Sequence, residues 1–191
     1  DEARALARRN IDAWWPHVER GAEAIVVTAS GCGVMVRDYG AVFADDPPYA
    51  DKARRIAALA RDPAEIIGPA FESLRNRVRT TGPARTLAFH PPCSLQHGLK
   101  VRGVVEPLLA AVGFTLVEVT DAHLCCGSAG TYSVLQPELA HQLRNRKLGE
   151  LAALKPNAIV SANIGCIQHL QAGTATPVRH WIELVDQALT R

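Results

Sequence analysis

No stretch of this chain is apolar for long enough to cross a bilayer. The longest apolar segment, 104–119, is broken by Glu106, Pro107 and Gly113, whereas a spanning helix needs about 20 mostly apolar residues. A secretory signal pattern is missing as well. Charge of one sign is scarce: a net +2 over 191 residues gives no electrostatic case for nucleic acid. The two basic runs, Arg75-Asn76-Arg77-Val78-Arg79 and Arg144-Asn145-Arg146-Lys147, fall in helix-like segments and read as solvated helix faces. Nor is the composition that of a disordered chain, with 48% apolar and 21% charged residues and ordinary Gly and Pro content. The length suits one large α/β domain or two modest lobes. Cysteine is sparse and odd in number, five residues set tens of positions apart, which excludes a dense secreted disulfide scaffold and points to a reducing compartment. The chain opens on Asp1 directly into helix-like sequence, so it is expected to be the carboxy-terminal part of something longer.

The few cysteines are arranged. Cys93 is followed after 31 residues by the pair Cys125-Cys126-Gly127, and Cys166 comes 39 residues after the pair. Each stands shortly after a segment that reads as a strand.

An internal repeat organises the rest. Ala24-Ile25-Val26-Val27-Thr28-Ala29-Ser30-Gly31-Cys32 resembles Ala158-Ile159-Val160-Ser161-Ala162-Asn163-Ile164-Gly165-Cys166 at an ungapped offset of 134 residues. The expected organisation is the end of a first repeat over 1–45, truncated at its start, a helical connection over 46–82 and a complete second repeat over 83–191. Helices are predicted over 2–20, 49–61 and 63–79, with Asp62 capping the last and Pro63 at its first position. Thr80-Thr81-Gly82-Pro83 is a break. In the second repeat, strands are predicted over 86–89, 114–119 and 158–162. Val105, Leu108, Leu109 and Val112 fall at helical spacing before Gly113. A helix is predicted over 137–154 with Ala140, Leu143, Leu151 and Leu154 on its apolar side, and another over 181–189. Strands alternating with helices give an α/β fold: a parallel sheet with helices on both faces and the cysteines at the carboxyl ends of the strands. Loops converge at that rim, so cysteines distant in sequence are expected to meet there.

Four thiols supply the usual ligand number of a [4Fe–4S] cluster, and Cys93, Cys125, Cys126 and Cys166 are the candidate ligands. Strand-to-helix loops aim backbone N–H groups and positive helix ends at such an anionic centre, and Gly127, Gly130 and Gly165 let the backbone come close. A disulfide within the pair is disfavoured, because adjacent Cα atoms lie about 3.8 Å apart and disulfides need roughly 4.4–6.8 Å. Alternatives stay open: a four-thiolate zinc site, although C-x-x-C knuckles are missing; a thiol–disulfide enzyme using Cys125 and Cys126; or small buried thiols. Cys32 is a candidate ligand of a second centre completed by sequence outside the chain. His90 and His97 flank Cys93 and are candidates for bonding to or tuning its sulfur, with Gly127 and Gly165 supporting the backbone around the site. His169 and His180 read as surface or capping residues, and Trp14-Trp15 as core.

The motifs His-Pro-Pro-Cys-Ser-Leu-Gln-His-Gly (90–98), Cys-Cys-Gly-Ser-Ala-Gly-Thr-Tyr (125–132), Asn-Ile-Gly-Cys-Ile-Gln-His-Leu (163–170) and Val-Arg-His-Trp-Ile-Glu-Leu (178–184) carry a resemblance. The chain resembles the cysteine-rich "CCG" domain family of heterodisulfide reductase and its relatives, and within it the iron–sulfur subunits of bacterial glycolate oxidases. The resemblance implies an electron-transfer subunit without a substrate site of its own. An FAD-containing glycolate oxidase subunit would be its partner and the quinone pool its outlet. It also implies a cytoplasmic location, or one at the cytoplasmic face of the inner membrane through peripheral association of the complex. An iron–sulfur subunit of a lactate- or glycerol-3-phosphate-oxidising complex, or a zinc-bound scaffold, is the alternative. The family pattern ends each repeat in Cys-x-x-Cys, where this chain has Cys166-Ile-Gln-His169 and Cys32-Gly-Val-Met35. An ordinary cubane is therefore expected, and disulfide-reducing activity is not.

Overall fold

In the computed structural model, which describes residues 2–78 and 85–189, the chain forms two compact units, Asp1–Pro63 and Ala64–Arg191. The break expected at 80–83 lies outside the described residues.

The first unit runs α1 (Glu2–Glu19), β1 (Ile25–Val26), α2 (Ser30–Arg37), α3 (Tyr39–Val42), α4 (Ala50–Leu59) and β2 (Ala60–Arg61). Ala7, Ile11 and Val18 recur at helical spacing along one side of α1. They are buried against Val36, Tyr39, Phe43, Ala53 and Ile56, the single stripe by which a surface helix holds its core. Trp14 and Trp15 pack on this cluster, with Trp14 stacked on Tyr39 at 6.5 Å, so the tryptophan pair is core as expected. The helix predicted over 49–61 ends two residues early. Ala60 and Arg61 pair in parallel with Ile25 and Val26, and Val27 N–H donates to the Arg61 carbonyl. Tertiary strand pairing outweighs local helix propensity here.

The second unit contains α5 (Pro63–Leu74), β3 (Thr86–His90), α6 (Val105–Ala111), β4 (Thr115–Leu116), α7 (Tyr132–Leu135), α8 (Pro137–Ala152), β5 (Ala158–Ser161), α9 (Ile164–Gln171), β6 (Val178–His180) and α10 (Trp181–Ala188). Its sheet is wholly parallel, in the order β4-β3-β5-β6. Leu87, Ala88, Phe89, Ile159 and Val160 are all buried, so alternate residues of the central strands find cover on both faces. Helix α6 packs against α10, and α8 against α9. Val105, Leu108, Leu109 and Val112 are buried as their spacing predicts, and Gly113 ends α6 at φ +97°, a conformation that glycine adopts without strain.

Three expectations need correction. The strand predicted over 114–119 pairs only at Thr115–Leu116, with one further bond from Val117 N–H to the Leu87 carbonyl. Strand β6 is an addition to the expected set, being three residues with little periodicity. Leu143 on α8 is 38% exposed, and Leu154, 59% exposed, lies beyond the end of the helix at Ala152. The buried side of that helix is Ala140, Lys147, Leu148 and Leu151, a seam hidden from a hydrophobic count because one member is a lysine.

Candidate metal centre

Because β3, β4 and β5 run parallel, the segments that follow them leave one edge of the sheet. Strand β3 ends at His90, and Cys93 follows Pro91-Pro92 to start a π-helical turn, Ser94–Gly98. The segment after β4 carries Cys125 and Cys126. Strand β5 leads through Asn163 to Cys166 in the first turn of α9, where the positive end of the helix favours a thiolate. Cys126 and Cys166 are buried, Cys125 is half-buried and Cys93 is exposed.

The pair is set by Gly127. Its φ is +89°, and a Cβ there would lie 2.4 Å from the Ala140 carbonyl oxygen and 3.0 Å from Leu143 Cβ. Only glycine lets this turn lie against α8. Gly127 N–H donates to Cys125 Sγ at 3.4 Å, Ser128 N–H to Cys126 and Ser94 N–H to Cys93. Asn163 Nδ2 donates to Cys166 Sγ at 3.6 Å. Gly165 brings two loops together, since a Cβ on it would stand 3.0 Å from Ser128 Oγ. Each sulfur thus has a donor suited to a thiolate.

The four thiols interact with one another in a chain. Cys93 acts on Cys125, Cys125 on Cys126, and Cys126 on Cys166, all of them free thiols. Cys126 is pushed far above the ordinary thiol range by Cys125, then by Cys166 and burial. Cys93 is pushed up by Cys125 and burial. Cys125 is held well below that range by the Cys126 and Cys93 thiols. Cys166 is lowered to about 5, first by Cys126, against the opposing effect of burial. Like charges this close oppose one another's ionisation, so two of the thiols are raised where the other two are lowered. A bound cation removes that restriction and makes four thiolates compatible.

His90 belongs to the same site. A ring nitrogen of His90 and the sulfurs of Cys126 and Cys166 lie within 4.8 Å of one another, all three residues buried. The ring favours the Cys166 thiolate by its proximity, yet neither nitrogen makes an aligned hydrogen bond. A buried polar atom without a partner costs about 1–3 kcal/mol, and two such atoms beside thiolates suit a group that protein atoms do not supply. The donor set, soft sulfurs with one imidazole, fits an iron–sulfur cluster and also fits zinc. The sequence placed His90 beside the site only as a flank of Cys93. The signal that marks it as more is its position as the last residue of the central strand.

The other candidates lie elsewhere. His97 is exposed, its Nδ1 bonded by the Arg102 guanidinium at 3.0 Å. His169 faces the Ala140 carbonyl at 3.2 Å and stacks on His141, joining α9 to α8. His180 caps α10, its Nδ1 accepting from Ile182 N–H at 3.2 Å. Cys32 is exposed in the first turn of α2 in the first unit, and among the described residues no second set of three such donors gathers around it.

Residues 1–37 and 87–171, more than half of the chain, match the family described as "CCG: Cysteine-rich domain". The chain is 52% identical over 187 residues to the glycolate oxidase iron–sulfur subunit of Escherichia coli (strain K12), covering 98% of itself and 45% of that protein. It is 26% identical over 195 residues to lactate utilization protein A of Exiguobacterium sp. (strain ATCC BAA-1283 / AT1b), covering 99% and 77%. It is 25% identical over 170 residues to the probable glycolate oxidase iron–sulfur subunit of Bacillus subtilis (strain 168), covering 88% and 37%. The chain thus spans less than half the length of the two glycolate oxidase relatives.

Proposed function

Starting from a chain that belongs to the CCG cysteine-rich domain family, we propose that Cys93, Cys125, Cys126 and Cys166 hold a [4Fe–4S] cluster. On this reading the chain is the electron-transferring part of a complex that oxidises glycolate or a related 2-hydroxy acid. The observation that carries it is the gathering of buried Cys126, Cys166 and His90 within 4.8 Å of one another, with Cys125 next to Cys126 in the chain and Cys93 acting on Cys125. The 52% identity to a glycolate oxidase iron–sulfur subunit supports the choice of complex. When bound, the cluster supplies one-electron transfer.

The chain's own residues hold and shield that site. Gly127, Ser128, Ser94 and Asn163 donate hydrogen bonds to sulfur, which steadies thiolates and disfavours their protonation. Burial of Cys126 and Cys166 keeps water from one side, while exposed Cys93 leaves the other open to an electron partner. We assign the chemistry on the 2-hydroxy acid to a separate FAD-containing subunit, and the onward path to the quinone pool through peripheral association of the complex with the cytoplasmic face of the inner membrane. No helix among the described residues is long and apolar enough to cross a membrane. The repeat organisation (1–45, 46–82, 83–191) and a role for Cys32 in a second centre belong to the same proposal.

The test is electron paramagnetic resonance of anaerobically purified, dithionite-reduced full-length protein. A cluster signal that disappears in Cys126→Ser supports the assignment; a signal unchanged by that substitution refutes it. A zinc scaffold is the second reading, favoured by the closeness of His90, Cys126 and Cys166, which with one more thiolate complete a tetrahedral site. It predicts stoichiometric zinc and no signal.

A further inference from the structure

Lys147 lies on the buried side of α8 with 0% exposure, in a position where an apolar side chain would complete the seam. Taking an ammonium out of water costs several kcal/mol unless it is paired and hydrogen-bonded. Here Nζ donates to the Asp121 carbonyl at 2.9 Å and to Glu150 Oε2 at 3.3 Å. Asp121 has φ +50°, a left-handed conformation that a non-glycine residue adopts at a cost of roughly 1–2 kcal/mol. It stands four positions ahead of Cys125. Arg146 adds a weaker hold, 3.8 Å from the Asp121 carboxylate and 3.7 Å from that of Glu150. The neighbours of Lys147 on α8, Leu148 and Leu151, share one core cluster with Cys126 and Cys166. Burial pulls the Lys147 ammonium down from the ordinary lysine range, and Glu150, Asp121 and, least, Cys126 act in the opposite direction to keep it charged.

We propose that Lys147 is a positioning residue for the cysteine site: its ammonium fixes the strained turn that leads into Cys125-Cys126 and offsets the negative charge gathered there. The inference rests on the cluster reading above. Reduction adds an electron to a centre that is already anionic with its thiolates. A positive charge held in a low-dielectric core stabilises the reduced form more than the oxidised one, so Lys147 raises the reduction potential. Glu150 opposes it, sharing its carboxylate between Lys147 and Arg146.

The experiment is a redox titration of the cluster signal in anaerobically purified full-length protein, with the signal of this centre identified by its loss in Cys126→Ser. Lys147→Met, close in shape but uncharged, is expected to move the midpoint to a more negative potential. Lys147→Arg is expected to bring it back toward the parent value, and Glu150→Gln to move it the opposite way from Lys147→Met. A role in folding alone would not produce shifts of opposite sign at matched iron content. If Lys147→Met loses its cluster, Glu150→Gln decides, since an unchanged or lowered midpoint there overturns the proposal. Equal midpoints in parent, Lys147→Met and Glu150→Gln overturn it as well. A parent protein that shows no such signal removes the cluster reading itself.

Discussion

Replacing Gly127 with alanine is expected to destabilise the second unit by about 2–5 kcal/mol, from two separate penalties. The first is conformational: at φ +89° an L side chain costs roughly 1–2 kcal/mol. The second is steric, because the new Cβ would sit 2.4 Å from the Ala140 carbonyl oxygen and 3.0 Å from Leu143 Cβ. A backbone carbonyl inside a helix cannot swing aside as a side-chain tip can, and such overpacking costs about 1–3 kcal/mol. Gly130 separates the two penalties. Its φ is +60°, but a Cβ there would meet nothing within 4 Å, so Gly130→Ala carries the conformational penalty alone. The assay is urea unfolding of both variants under reducing conditions. With a denaturant slope of about 2 kcal/mol per molar, the Gly127→Ala midpoint is expected to fall by roughly 1–2.5 M and the Gly130→Ala midpoint by less than about 1 M. Equal shifts would refute the claim that close approach of the cysteine turn to α8 requires this glycine.

Other outcomes follow from the same geometry. His90→Leu removes two buried nitrogens that lack partners; the metal-free protein should be as stable as the parent or more so in urea, whereas the iron-loaded form should lose its cluster faster to a chelator. His97→Ala should leave iron content unchanged, because that ring bonds Arg102 at the surface; loss of iron would place His97 in the site after all. Ile56→Ala empties a fully buried position in the core of the first unit and should cost about 2–5 kcal/mol, read as a lowered thermal midpoint. Cys32→Ser should lower the iron content of the full-length protein if that thiol helps to hold a second centre, and an unchanged iron count sinks that role.

Much of the architecture was readable in the residues, for identifiable reasons. The apolar runs at 86–89 and 158–161 belong to central strands covered on both faces, where hydrophobic character is undiluted. The edge strands were harder. Thr115–Leu116 and Val178–His180 pair over two or three residues, too few for any period to register. Ala60 and Arg61 looked helical because their strand partner lies some 35 positions upstream. The meeting of Cys126 with Cys166 follows from parallel topology, which sends the segments after β4 and β5 to one rim. His90 and Lys147 were harder to see: a histidine before two prolines and a lysine inside a basic run both have commonplace surface readings. Their burial depends on which side of β3 and α8 the cysteine segments cross, and that is decided by tertiary packing.

The central claim is that four scattered thiols share one inorganic core. Iron, acid-labile sulfide and zinc counted in the anaerobically purified full-length protein, against a variant with Cys93, Cys125, Cys126 and Cys166 all changed to serine, test it most directly. The account predicts that the variant lacks about four irons and about four sulfides relative to the parent. An equal iron and sulfide content in the two proteins, or a difference consisting of zinc alone, would contradict it.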